Sequence, residues 1–207
     1  RSDSRVEVPS LMPPLTQADV LSPDEYERQR ESYRRRIIEL KRRRRISLGD
    51  KITLVFENRE TLRFQVQEMI RVERILDPQK IQDELDVYNA LLPADGELSA
   101  TLLIELTEAN TMKEWLDRFM GLDHGEKLGL RAGGELVYGE FEGGHSHETK
   151  ISAVHFVRFR PTPGMVSALS DQAVRVALSV HHSGYDAEVD VPWTMREEWV
   201  ADLRPRA

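Results

Sequence analysis

Residues 51–76 read KITLVFENRETLRFQVQEMIRVERIL, and the fold turns on where this stretch changes its period. Ile52, Leu54 and Phe56 alternate with their neighbours, which is the pattern of a strand. From Thr61 two readings compete. Leu62, Phe64 and Val66 continue the alternation, but Leu62, Val66, Met69, Ile70 and Leu76 also fall on one helical arc. Asn58 is a good N-cap, and the length and the Glu, Arg and Gln content favour the helix. A strand running directly into a helix sets the chain among mixed folds.

Working outward, Ser22 caps a first helix at Pro23, with Asp24 and Glu25 facing its dipole. Tyr26, Tyr33, Ile37 and Leu40 make one apolar stripe, and Gly49-Asp50 is expected to end that helix. Asp77-Pro78 opens another, with Ile81, Leu85, Tyr88 and Leu92 on one face and Pro93 to Gly96 closing it. Beyond it the chain turns to strands: Leu98 to Leu106, Lys127 to Arg131, Glu135 to Phe141, Ile151 to Phe159, Ala173 to Val180 and Ala187 to Val191. Gly133-Gly134 and Ser183-Gly184 read as hairpin turns. A short helix is expected at Lys113 to Met120, and a last one at Thr194, where Thr194 and Glu197 form a capping box ahead of Trp199 and Leu203.

Helices early and antiparallel strands late predict an α+β fold, a mostly antiparallel β-sheet or sandwich packed against N-terminal helices. The organisation expected is one domain over 23–207, helical to about residue 93 and β-rich from about residue 94. Residues 1–22 read as a leader or vector-derived remnant. Arg1 to Leu11, ahead of a plausible start at Met12, are set aside from fold reasoning.

Composition removes several function classes. The 207 residues include no cysteine, which rules out disulfides, Cys-ligated zinc, iron–sulfur ligation and thiol catalysis by this chain. A net charge of −7 disfavours a dedicated nucleic-acid binder. No apolar run approaches a membrane span, so the expected location is the cytoplasm. Phosphate-loop, dinucleotide-binding and nucleophile-elbow motifs are all missing from the sequence.

Three clusters remain. The polar run offers Glu57, Asn58, Arg59, Glu60, Gln67, Glu68, Arg71 and Glu73, with Glu84, Tyr88 and Asn89 placed to face it from the next helix. Glu60, Gln67 and Arg71 share an outward face, whereas Glu73 falls inside the apolar arc, where an acid must find a partner or an opening. The run is either a network fixing the helices and the strand end, or a polar pocket for a small ligand, ion or partner. The second cluster is basic: Arg34 to Arg36 and the run Arg42, Arg43, Arg44, Arg45. These arginines surround their helix among Glu25, Glu27, Glu31 and Glu39, with no interleaved aromatic platform, which favours a solvated helix or a charged subunit contact over nucleic acid. The third is His145 and His147, which with Gly139 match the opening of the cupin metal motif but lack its later glutamate and histidine. His155, His181 and His182 are the possible third ligands. The sole Glu-x-x-His, Glu142 to His145, spans two glycines and does not suit a di-iron bundle.

The segments VFENRETLRFQVQEMIRVERI, IQDELDVYNALLP and ELSATLLIEL, together with ISAVHFVRF and LTQADVLSPDEYERQR, resemble the bacterial domain-of-unknown-function family 3501. The resemblance covers essentially everything after Met12. It implies no activity and no catalytic residues. It does imply a genomic setting near rubrerythrin-like and iron–sulfur oxidoreductase proteins. The expectation is therefore a non-enzymatic accessory or binding protein with a protein partner, homo-oligomeric, with no cofactor of its own and no membrane association. The rival expectations are a carboxylate- or His-dependent enzyme around Glu57, Glu60, Glu68, Arg71 and Glu73, and nucleic-acid binding through Arg34 to Arg45.

Overall fold

The computed structural model describes residues 12–143 and 151–203. The chain starts with a 3-10 turn, Gln17–Asp19, and then α1, Pro23–Arg42. Ser22 caps α1 as expected, its side chain and that of Glu25 each accepting from the other's backbone. The helix stops at Arg42, short of Gly49, because Arg44, Ile46 and Leu48 already alternate inward and Arg45–Leu48 forms strand β1. Gly49, at φ +70°, turns β1 into β2 (Ile52–Glu57). A Cβ there would collide with the Tyr185 hydroxyl, which donates to Leu48 O at 2.5 Å and accepts from Lys51 N–H at 3.0 Å.

The ambiguous stretch is helical: α2 spans Arg59–Glu73, with Asn58 Oδ1 accepting from Thr61 N–H at 3.0 Å. Arg74 reverses the chain in the left-handed region (φ 52°, ψ 44°). Asp77 then caps α3, Pro78–Asn89. After β3 (Leu98–Ile104) come α4 (Met112–Phe119), β4 (Leu128–Ala132), β5 (Glu135–Tyr138) and β6 (Glu140–Phe141). The chain continues through β7 (Val154–Phe159), α5 (Pro163–Leu169), β8 (Val176–His182), β9 (Tyr185–Asp190) and α6 (Trp193–Leu203). Helix α5 is an element the sequence reading did not anticipate, although Thr162 caps it and Pro163 opens it. Helix α6 begins at Trp193, so Thr194 sits inside its first turn and is not its cap.

The strands form two antiparallel sheets, in the orders β1-β2-β3-β7-β6 and β5-β4-β8-β9. One core fills the space between them, with Leu54, Phe56, Leu102, Leu130, Leu178 and Val180 among its members. Trp199 of α6 is fully buried there, its ring centroid 4.5 Å from that of Phe56; such aromatic contacts add about 0.5–1.5 kcal/mol beyond area burial. On the other face of the first sheet, α2 and α3 enclose a second cluster of Leu62, Val66, Ile70 and Leu85. Met12 and Leu15, from the stretch read as a leader, are buried in that same cluster. Tyr26, Tyr33 and Ile37 seat α1 separately, against Phe64. The α+β class and the packing of sheets against N-terminal helices are as the sequence predicts. Among the described residues, no helix is long and apolar enough to cross a membrane.

Candidate functional site

The polar run lies where the end of β2 meets α2, and its side chains hold different parts of the chain. Glu57 is 2% exposed, on the face of β2 opposite Phe56. It accepts from the hydroxyl of Thr101 at 2.7 Å and from that of Thr61, joining β2, β3 and the first turn of α2. Arg59 donates to Pro13 O at 3.0 Å and pairs with Asp19 at 2.7 Å. Burial acts to raise the Asp19 pKa, but hydrogen bonds from Arg59 and from Thr16 outweigh it and hold the carboxyl below its usual value.

Gln67 is 2% exposed and does not lie on an outward face. Its side chain accepts from Leu21 N–H at 2.9 Å and donates to Leu21 O at 3.1 Å. Asn89 treats Leu15 in the same way, at 2.7 and 2.9 Å, so it does not face the polar run across the Asp77-Pro78 corner. Two amide side chains thus fasten residues 15–21 to α2 and α3. Glu68 accepts from Arg30 at 2.8 and 2.9 Å and from the Tyr26 hydroxyl at 2.5 Å. The Arg30 hydrogen bond lowers the Glu68 pKa, against burial and with help from Tyr26. The Tyr26 phenol is pushed up, first by burial and then by the carboxylate.

Glu73 corrects an expectation. It lies on the apolar arc but is exposed, because residues 71–74 all project into solvent and burial ends one turn before the helix does. Leu76, taken as the end of the arc, is off the helix and 72% exposed. Glu60 is exposed as well, and Arg71 pairs with Glu27 at 2.5 Å near the surface. On α3, burial and then Glu84 raise the Tyr88 pKa. These residues divide between two spaces. Asn58, Arg59 and Glu60 border a polar pocket of about 230 Å³ together with Glu198 and Asp202. Gln67 and Arg71 border a separate, largely apolar cavity of about 180 Å³ with Tyr26 and Ile70.

The arginine run is not a continuous basic surface. Arg42 pairs with Glu39 at 3.2 Å, Arg43 with Glu198 at 2.8 Å and Arg45 with Glu105 at 2.5 Å. Arg44 is completely buried. It donates to Phe56 O at 2.7 Å and Glu57 O at 3.2 Å, and pairs with Glu198 at 3.1 Å and with Asp202. The alternation of Arg44, Ile46 and Leu48 is the signal in the sequence for this inward turn. Two further buried or half-buried arginines escaped the sequence reading. Arg158 reaches Leu92 O and Glu97 at 3.0 and 2.6 Å, and Arg196 donates to four carbonyls, those of Ala168 and Leu169 among them.

His145 and His147 lie outside the described residues. Of their suggested partners, His155 is buried on β7 within 2.7 Å of Ser152 O. His181 and His182 are in the other sheet, beside Asp186 at 2.9 Å and Met120 O at 2.8 Å respectively. Among the described residues, no three His, Asp or Glu side chains are grouped to hold a metal ion. A cleft of about 670 Å³ lies elsewhere, lined by Asp123, His124, Glu126, Tyr138, Glu140 and Arg160.

This architecture defines an α+β protein, a two-sheet antiparallel assembly with a helical layer. The chain belongs to the family described as Protein of unknown function (DUF3501), whose model matches residues 14–203. It is similar to a novel protein of unknown function from Burkholderia pseudomallei K96243, known from a crystal structure, at 31% identity and a TM-score of 0.83. The match covers 92% of this chain and 99% of that one. No curated protein matches the chain.

Proposed function

We propose that this chain is a non-enzymatic accessory protein of the cytoplasm that binds a partner protein, assembles with copies of itself, and works beside redox and peroxide-defence proteins. The observation that carries this reading is the occupation of the polar run. Glu57, Arg59, Gln67 and Glu68 each hold a segment of their own chain, a task that fixes these side chains in the service of the fold. The redox setting rests on the genomic neighbourhood that the family resemblance implies. Co-purification from native cells tests the reading. Recovery with a rubrerythrin-like or iron–sulfur protein is expected, and recovery without any redox partner counts against it.

A second reading has one specific observation behind it. The 670 Å³ cleft has the size of a small-molecule site and gathers Asp123, His124, Glu126 and Arg160. A carboxylate- or His-dependent enzyme would work there, away from the run first suspected. Elemental analysis of untagged protein tests its metal-dependent form, for which metal well below one equivalent per chain is a negative result.

A further inference from the structure

The cavity at the C-terminal end of α2 combines three features that the helical packing does not use. Its walls are apolar: Pro23 and Tyr26 from α1 meet Ile70, Ile75 and Leu76. The polar groups of two lining residues are already engaged, Gln67 with the Leu21 backbone and Tyr26 with Glu68. Its volume, about 180 Å³, is below the range of drug-sized ligand sites and suits one large side chain. Leu76, one of its lining residues, is 72% exposed, so part of the apolar wall is open to solvent.

The rim adds charge. Arg71 is neutralised by Glu27 at 2.5 Å. Arg74 has no carboxylate within 4 Å among the described residues, which leaves the rim net positive. Arg74 also occupies a position that glycine fills best. Its N–H donates to Arg71 O at 3.3 Å and Ile75 N–H donates to Ile70 O at 3.0 Å, the two-bond helix terminus whose left-handed residue is usually glycine. An arginine accepts strain there that a glycine would avoid.

We propose that this cavity is the docking site for the partner: it takes one large apolar side chain from an acidic segment of the partner protein, and Arg74 binds a carboxylate flanking that side chain. The apolar walls account for the side chain and the unpaired cation for its acidic neighbours. The proposal deepens the accessory-protein reading and rests on it, but its test is separate. The probe is a short capped peptide carrying one leucine between pairs of glutamates, titrated to its solubility limit while the amide signals of Ile70, Ile75 and Leu76 are followed by NMR. Those signals are expected to shift, and Arg74→Gly is expected to weaken binding about tenfold or more, as loss of a charge-assisted hydrogen bond does. Leu76→Asp, at an exposed position, should do the same without unfolding the protein.

Four results overturn the proposal: no peptide binding, equal binding of a lysine-flanked peptide, unchanged affinity in Arg74→Gly, or shifts with free phenylacetate but not with the peptide. Any of these alongside successful co-purification places the partner elsewhere on the protein. Peptide binding with no partner in cells sinks the accessory reading instead.

Discussion

The Gln67 side chain, itself 2% exposed, and the half-buried Leu21 backbone exchange two hydrogen bonds, at 2.9 and 3.1 Å. A side-chain amide presents one donor and one acceptor side by side, as a neighbouring strand would, so Gln67 satisfies both backbone polar groups of a residue that has no strand beside it. Asn89 repeats the device on Leu15. The segment leading into α1 is therefore held by amides as well as by the apolar contacts of Met12 and Leu15.

Replacing Gln67 by methionine keeps the volume and removes the donor and the acceptor. The half-buried Leu21 N–H and C=O then lose these side-chain partners, at up to about 1–3 kcal/mol each before relaxation. Gln67→Met should lower stability by about 2–4 kcal/mol in urea denaturation. It should also abolish exchange protection at the Leu21 amide while leaving the sheet amides protected.

Arg44 gives a second prediction. Its guanidinium meets two carbonyls and two carboxylates at once, joining β2 to α6. Arg44→Met removes all four of these contacts at a fully buried position and should cost about 3–5 kcal/mol. Lysine keeps the charge but cannot reproduce the planar fork, so Arg44→Lys should recover only part of the loss. Arg42→Ser, fully on the surface, should change stability by no more than about 0.5 kcal/mol. Thermal melts of the three variants make the comparison.

The contrast between these arginines explains how much was legible in the sequence. Period and caps carry the elements: Asn58, Asp77 and Ser22 begin helices where local chemistry says they should. The paired positive-φ residues Gly133-Gly134 and Ser183-Gly184 make the expected hairpins. What local pattern cannot carry is the distant partner. Arg44 lies more than 150 residues from Glu198 and Asp202, and Gln67 more than 40 from Leu21. Glu73 failed in the opposite sense. The helical arc places it inward, but whether anything covers that end of α2 depends on the tertiary packing. The candidate site reads as polar because its sequence is polar, although Glu57, Gln67 and Glu68 are turned to internal use and the cavity beside Gln67 is largely apolar.

The Glu68 contact sets an acid limit. Arg30, and then Tyr26, hold the folded-state pKa below the ordinary 4.5, outweighing burial. A depressed folded value means that the native state binds its proton later than the unfolded chain does. The stabilisation is thus fully present above the unfolded value and is lost as the pH falls from 4.5 through the folded value. Glu68→Gln cannot titrate, so its stability should fall less steeply than that of the parent protein below pH 4.5, with the two curves parallel at higher pH. Denaturant midpoints measured across the acid range test this, and curves of equal slope would reject it.

Arg74 supplies the last prediction, since its structural and binding roles pull in opposite directions. A non-glycine residue in the left-handed region gives up about 1–2 kcal/mol, whereas a glycine avoids that strain but loses about 0.5–1 kcal/mol through the greater freedom of its unfolded chain. The balance favours glycine, so Arg74→Gly should stabilise the protein by about 0.5–1 kcal/mol. The Arg74 side chain is exposed, and no carboxylate of the described residues loses a partner when it is removed. A variant that melts higher and binds the acidic peptide more weakly is what a residue retained for recognition at the expense of stability produces. A variant that melts lower would mean that Arg74 supports the helix end through its charge, as a cation beside a helix C-terminus can, and the argument from strain would fail.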